Sequence, residues 1–176
     1  GLGNAPVAGP GTGGNAYDTL SNPTLAGSGG GGVNFSGGSG GGLIQITANG
    51  PFTLNGRISA NGVNATTNNA GGGAGGTIKL TVTQLPLLGS GVISADGGSG
   101  QLPNGGGGGG GRIVLSYPFA QKENQITNGF TGVISAKGGS GFARGGAGTV
   151  YLRTNNASSA QVFVDNGGGR GTNTFV

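Results

Sequence analysis

Seven consecutive glycines, Gly105–Gly111, run directly into Arg112-Ile113-Val114-Leu115. The same junction occurs at Gly71-Gly72-Gly73-Ala74-Gly75-Gly76 before Thr77-Ile78-Lys79-Leu80. It occurs again at Gly145-Gly146-Ala147-Gly148 before Thr149-Val150-Tyr151-Leu152. Two further tracts, 27–32 and 37–42, are each broken by a single serine, Ser28 and Ser39. An ordered glycine gives up more backbone entropy than alanine, about 0.5–1 kcal/mol in a regular element. A chain with 48 glycines in 176 residues, no Trp and no Met must recover that elsewhere. The available sources are dense backbone hydrogen bonding and the close approach of chains that lack side chains.

Glycine and proline at nearly a third of the residues would suggest low-complexity disorder if they had no period. Disorder also goes with high charge and few β-branched residues. Here charged residues are 7% and Val, Ile and Thr recur on a pattern, so an ordered fold is expected. The first clear unit is Leu43 to Gly50, Pro51 to Gly56 and Arg57 to Gly62, three short strands each ending in Asn-Gly. Ile44 and Ile46 alternate with Gln45 and Thr47, then Phe52 with Leu54, then Ile58 with Ala60, which is a period of two with one face inward. Asn-Gly supplies the positive φ of a sharp corner and is also the strongest hairpin signal. An antiparallel meander therefore competes with a solenoid.

The remainder repeats this unit. Ile44, Ile78, Ile113 and Val150 are spaced 34, 35 and 37 residues apart, and Ile58, Ile93 and Ile134 are spaced 35 and 41. The excess in the second series is an insertion, 117–128. A period of this size marks a repeat architecture, in which one unit cannot bury its own apolar face but stacked units can. No 3.6-residue apolar stripe exists, so no helix is expected. The reading is an all-β fold, a parallel β-helix-like solenoid of about 35-residue repeats built from strands and polyglycine II-type segments. The alternative is a β-sandwich or meander packed on polyglycine helices. Residues 1–42 form an irregular Gly/Asn/Pro-rich segment with two glycine tracts, anchored by Tyr17 and Leu20. Residues 43–176 form a four-repeat glycine-rich β domain, with repeats at about 43–76, 77–111, 112–148 and 149–176.

Stacking at about 4.8 Å aligns equivalent positions into columns. Ile44, Ile78, Ile113 and Val150 make an inward one. Ala60, Ala95 and Ala136 make a narrow one at a corner. Asn61, Asp96 and Lys137 make an outward one, with Asp96 and Lys137 as an ion pair on adjacent rungs worth about 0–1 kcal/mol if exposed. The glycine tracts are either flexible coil or extended helices with three residues per turn. Side by side, such glycine chains bond to each other in three directions because no Cβ holds them apart. Their fixed place in the repeat favours packing on one another. The structural glycines singled out are Gly71, Gly72, Gly73, Gly105, Gly108, Gly111, Gly145 and Gly146. A Gly→Val change at Gly108 is expected to destabilise more than the same change at Gly3.

Gly-Gly-Gly-Ala-Gly-Gly-Thr-Ile-Lys-Leu followed by Gly-Val-Ile-Ser-Ala-Asp-Gly-Gly resembles the glycine-rich repeats of very large secreted bacterial surface proteins. The resemblance covers about residues 37–171 and implies a β-solenoid acting as an adhesin or structural fibre. The tracts also resemble the polyglycine-helix sandwich at the receptor-binding tip of some phage tail fibres. There, variable loops contact the host, whereas here regular strands lie between the tracts. Neither resemblance carries site residues over to this chain.

The chemistry available is narrow. With no His and no Cys, neither nucleophile–His pairs nor imidazole or thiolate metal sites can be built. The four carboxylates, Asp18, Asp96, Glu123 and Asp165, share no motif, whereas glycoside hydrolysis needs two converging on one bond. The glycine runs lack the Gly-Lys-Ser/Thr ending of a phosphate-binding loop. No enzyme, cofactor or metal is expected. Net charge is +4, with basic residues scattered and none adjacent, which argues against a nucleic-acid surface. No apolar run approaches the roughly 18 residues of a membrane span. The absence of cysteine excludes a disulfide-stapled domain. The start at Gly1, without Met or an apolar leader, reads as a mature or excised segment of a longer product. Three Asn-X-Ser/Thr sequons occur, at Asn34, Asn64 and Asn156.

The expected function is that of an extracellular or cell-surface structural protein, a subunit or segment of a filament, fibre or sheath. Its partners are copies of itself, joined as a homo-oligomer or filament through strand edges, with Thr174, Phe175 and Val176 as one such edge. The alternative is an adhesin recognising cell-surface glycan or protein through Val63–Asn69, Tyr117–Asn128 and Asn155–Ala160. Ice binding would need a recurring Thr column, which is absent.

Overall fold

The computed structural model describes residues 18–32, 36–84, 87–117, 129–154 and 160–171. Their regular elements are ten β-strands. In chain order these are β1 (Leu43–Ala48), β2 (Phe52–Thr53), β3 (Arg57–Ser59), β4 (Thr77–Val82), β5 (Leu87–Leu88), β6 (Val92–Ser94), β7 (Arg112–Tyr117), β8 (Val133–Ser135), β9 (Thr149–Thr154) and β10 (Ala160–Phe163). The fold is all-β, and its sheets are dominated by parallel pairing.

Apart from β10, each strand pairs with its equivalent one spacing along the chain rather than with its chain neighbour. β1, β4, β7, β9 and β10 form one sheet, β2 and β5 a second, and β3, β6 and β8 a third. The three strands of the first unit therefore fall in three different sheets, and the Asn-Gly steps between them turn corners instead of closing hairpins. Register follows the apolar spacing: Ile44 pairs with Ile78, Ile78 with Ile113 and Ile113 with Val150. Ile58, Ile93 and Ile134 align likewise in the third sheet. The one exception in direction is β10, which folds back antiparallel on β9, with Phe163 opposite Val150 and Gln161 opposite Leu152.

The inward faces of all three sheets share one apolar core. Ile78, Ile93 and Ile113 are completely buried, with Leu80, Leu115, Leu54, Leu87 and Phe130 around them. Each such side chain contributes about 1.5–3 kcal/mol relative to exposure. The core is densest in the middle. At the β1 end Ile44, Ile46 and Ile58 are only partly buried, and at the other end Ile134, Val150 and Leu152 are too.

Side chains reinforce the ladders on the outside. Asn61 Oδ1 accepts the N–H of Asp96 at 2.8 Å, Asn64 Oδ1 that of Ser99 at 2.7 Å, and Asn55 Oδ1 that of Ser90 at 3.3 Å. Each bond spans 35 residues of sequence and joins neighbouring strand layers. The expected Asp96–Lys137 ion pair is replaced by something tighter. Asp96 Oδ1 accepts the backbone N–H of Lys137 at 2.7 Å and the hydroxyl of Ser135 at 2.5 Å. A short carboxylate reaches the peptide directly above it, whereas the Lys137 ammonium is carried away on its long stem, which lies against Gly167.

Candidate functional site

Two features could carry a role: the packed glycine tracts and the open ends of the sheets. In the tract 71–76 the direction of the hydrogen bond repeats every three residues. Gly71 and Ala74 donate to Gly31 and Ser28, Gly72 and Gly75 to Gly106 and Gly109, and Gly73 and Gly76 to Val63 and Ala60. The distances run from 2.7 to 3.0 Å. Three donors in succession thus point at three different neighbours. The same tract accepts from Gly38 and Gly41 and, through Gly73, from Gly98.

The other singled-out glycines lie in the same lattice of bonds. Gly105, Gly108 and Gly111 donate to Gln101, Gly98 and Ala95 at 2.7–2.8 Å, and they accept from Phe142, Gly139 and Thr149. Gly145 donates to Gly139 at 3.0 Å, and Gly146 accepts from Gly110 at 2.9 Å. The spacing leaves no room for a β-carbon. One placed on Gly73 would overlap the Ser39 carbonyl, one on Gly108 the Gly73 carbonyl, and one on Gly145 the Gly108 carbonyl. At Gly109, by contrast, the nearest atom would be 3.9 Å away. Thr174, Phe175 and Val176 lie outside the described residues, as do Tyr17, Asn34, Glu123, Asn156, Gly3 and most of the segments 117–128 and 155–160.

The two ends of the stack differ. At one end β1, β2 and β3 are the outermost strands of their sheets. Thr77 N–H bonds to the Gly42 carbonyl and Thr83 N–H to that of Ala48. Since peptide groups alternate along a strand, Ile44 and Ile46 face β4. Leu43, Gln45 and Thr47 turn theirs to the side where no described strand lies. All three are exposed, Leu43 at 45%.

At the other end β10 covers β9 only. Beyond it Asn166 acts as a substitute for a further layer. Gly62 N–H donates to the Asp96 carbonyl and Gly97 N–H to that of Lys137, and Gly138 N–H donates to Asn166 Oδ1 at 2.7 Å. Asn166 Nδ2 returns a bond to the Gly145 carbonyl at 3.1 Å. Between this cap and β8 a cavity of about 520 Å³ remains, walled by Phe130, Ile134, Val150, Leu152 and Phe163, with Lys137, Gln161 and Asp165 also in its lining. The third sheet has no described strand beyond β8.

Charge is sparse. The Asp18 carboxylate takes three backbone N–H donors, Thr19, Thr24 and Leu25, at 2.6–2.8 Å. Partial burial alone would raise its pKa. The bonds from Leu25, Thr19 and Thr24, with the attraction of Arg112, outweigh that and hold it below the ordinary 3.8. The segment after it is tied to the sheet by Thr77 Oγ1 donating to the Leu25 carbonyl at 2.7 Å and by Lys79 Nζ donating to Asn22 Oδ1. Among the described residues no group of three or more His, Cys, Asp or Glu converges on a metal position.

The side chains that the apolar periodicity could not point to are the layer-joining Asn55 and Asn64, and Asn166, whereas Asn61 stands in the expected outward column with Asp96. A signal existed for the layer-joining asparagines: Asn55, Asn61, Asn64 and Asn69 all sit 35 residues before Ser, Asp, Ser and Asn. Asn166 shows none beyond its place before Gly167. No family model, no curated protein and no solved structure matches the chain.

Proposed function

We propose that the chain is a structural segment of an extracellular surface fibre or sheath, a β-solenoid whose layers are joined by polyglycine II-type helices and which self-associates through strand edges. The period-three bonding of tract 71–76 supports the helical reading of the tracts. The observation that carries the self-association is the edge of β1. Leu43, Gln45 and Thr47 present a row of N–H and C=O groups with no strand partner among the described residues, on a six-residue strand, the situation in which sheets add a further strand. The edge carries no Lys, Asp, Glu or Pro to blunt it. Placement outside the cell rests on the likeness of the glycine-rich strands to those of bacterial surface proteins.

The test uses the direction of one peptide group. The Gln45 N–H points away from β4, so Gln45→Pro removes an outward donor and leaves the β1–β4 ladder intact, as edge prolines do. Light scattering and electron microscopy of the native chain should show end-to-end association. The Gln45→Pro chain should be monodisperse with an unchanged far-ultraviolet spectrum. A native chain that stays monomeric at every concentration contradicts the proposal.

A further inference from the structure

The cavity beside β8 differs from the edge at β1, because a strand edge with no described partner and a largely apolar hole lie together there. Among the described residues β8 is bonded on one side only, to β6: Val133 N–H donates to the Gly91 carbonyl at 3.0 Å, and the Ser135 carbonyl accepts from Ala95 N–H at 2.9 Å. By alternation the peptide groups of Gly132 and Ile134 and the N–H of Ala136 face the other side. The equivalent groups one layer below, on Gly91, Ile93 and Ala95, are the ones β8 itself engages. In that layer Ile93 is completely buried by its neighbours, whereas Ile134 is only partly so and lines the cavity. Val133 is 57% exposed. Among the described residues, what the layer above β8 lacks is one strand and one branched side chain.

We propose that this end is a β-augmentation site that takes a single extended peptide segment parallel to β8, with a branched aliphatic residue over Ile134 and a small residue over Ala136. The occupant is specified by continuity with the β3–β6–β8 ladder, in which isoleucine stacks on isoleucine and alanine on alanine at each layer. The opposite wall, Val150, Leu152 and Phe163, closes on the aliphatic side chain. β10 and Asn166 occupy the layer above β9 and the tract, so the site has room for one strand but not for a whole second copy stacked in register. Main-chain bonds supply affinity and the hole supplies specificity, as in other strand-addition sites. The proposal rests on β8 and the cavity beside it, and not on the β1 edge from which self-association is argued.

The experiment uses the full chain and a fluorescent pentapeptide, Gly-Val-Ile-Ser-Ala, copying Gly132–Ala136. Anisotropy should saturate, and residue-resolved amide exchange should slow at Ile134 and Ala136. In a parallel strand above β8 the peptide's serine N–H faces β8 and its isoleucine N–H faces away. N-methylation at serine should weaken binding about tenfold, the worth of one hydrogen bond plus the carbonyl it strands. N-methylation at isoleucine should leave it within about threefold, and isoleucine-to-aspartate should abolish it. Three results with the peptides overturn the proposal: no saturation, equal loss with both methylated peptides, or binding without protection of Ile134. The last would mark a hole that merely adsorbs apolar molecules. Protection of Ile134 on self-association of the free chain would assign the edge to a second copy and also overturn it.

Discussion

The backbone of Gly108 lies so close to that of Gly73 that a β-carbon on Gly108 would overlap the Gly73 carbonyl oxygen. The Gly108 N–H meanwhile donates to Gly98 at 2.8 Å and its carbonyl accepts from Gly139. Neither chain can move aside without breaking bonds on its far side. Gly108→Ala should therefore destabilise the fold by about 1–3 kcal/mol, the range for forced overpacking. A β-carbon on Gly50 would have nothing within 4 Å of it, and Gly50 has no left-handed φ. Gly50→Ala should be neutral or stabilising by about 0.4–1 kcal/mol, through the unfolded chain. Thermal unfolding of the two variants checks the contrast.

Asp96 tests the side-chain ladder. Asp96→Ala strands the Lys137 N–H and the Ser135 hydroxyl and should cost about 1–3 kcal/mol. Asp96→Asn keeps an acceptor oxygen, as Asn61 does one layer below, and should cost less than about 1 kcal/mol. Denaturant midpoints of the two variants separate these outcomes.

Position in the stack should grade the cost of core truncation. Ile93→Ala removes a completely buried side chain between two others and should cost about 2–5 kcal/mol. Ile58→Ala acts on the same column at its partly buried end and should cost clearly less. Chemical denaturation of both variants measures the difference, and equal costs would mean that the column does not end at β3.

Asp18 gives a pH dependence with a definite sign. Its folded pKa lies below the unfolded value, so its contribution is fully present above about pH 4 and is lost as pH falls through the folded pKa. The amide signals of Thr24 and Leu25 should move together below about pH 4. Asp18→Asn should remove that titration while leaving the core signals unchanged.

Much of this architecture is readable from the chain. The spacing of Ile44, Ile78, Ile113 and Val150 predicts their register, because a slip of one residue would turn every apolar side chain outward. Direction is not readable in the same way. Gln161-Val162-Phe163-Val164 alternates like the other strands, yet β10 runs antiparallel, since alternation constrains faces and not chain sense. Asp96 and Lys137 do meet across adjacent layers, but through the Lys137 peptide rather than its ammonium. Charge suggests a partner, while side-chain length decides which atom is reached. The cavity is not legible in the sequence at all, being the absence of a described strand beyond β8.

Order in the glycine tracts rests on bonds that rotate through three directions, and the whole stack depends on that order. Residue-resolved amide hydrogen exchange across 105–111 measures it directly. Gly107, Gly108, Gly110 and Gly111 donate to Ala143, Gly98, Gly146 and Ala95, while a β-carbon on Gly109 would come no nearer than 3.9 Å to another atom and the Gly109 N–H meets no backbone acceptor among the described residues. Slow exchange at those four glycines with fast exchange at Gly109 between them is the predicted result. Uniformly fast exchange along the tract would show a flexible linker and contradict it.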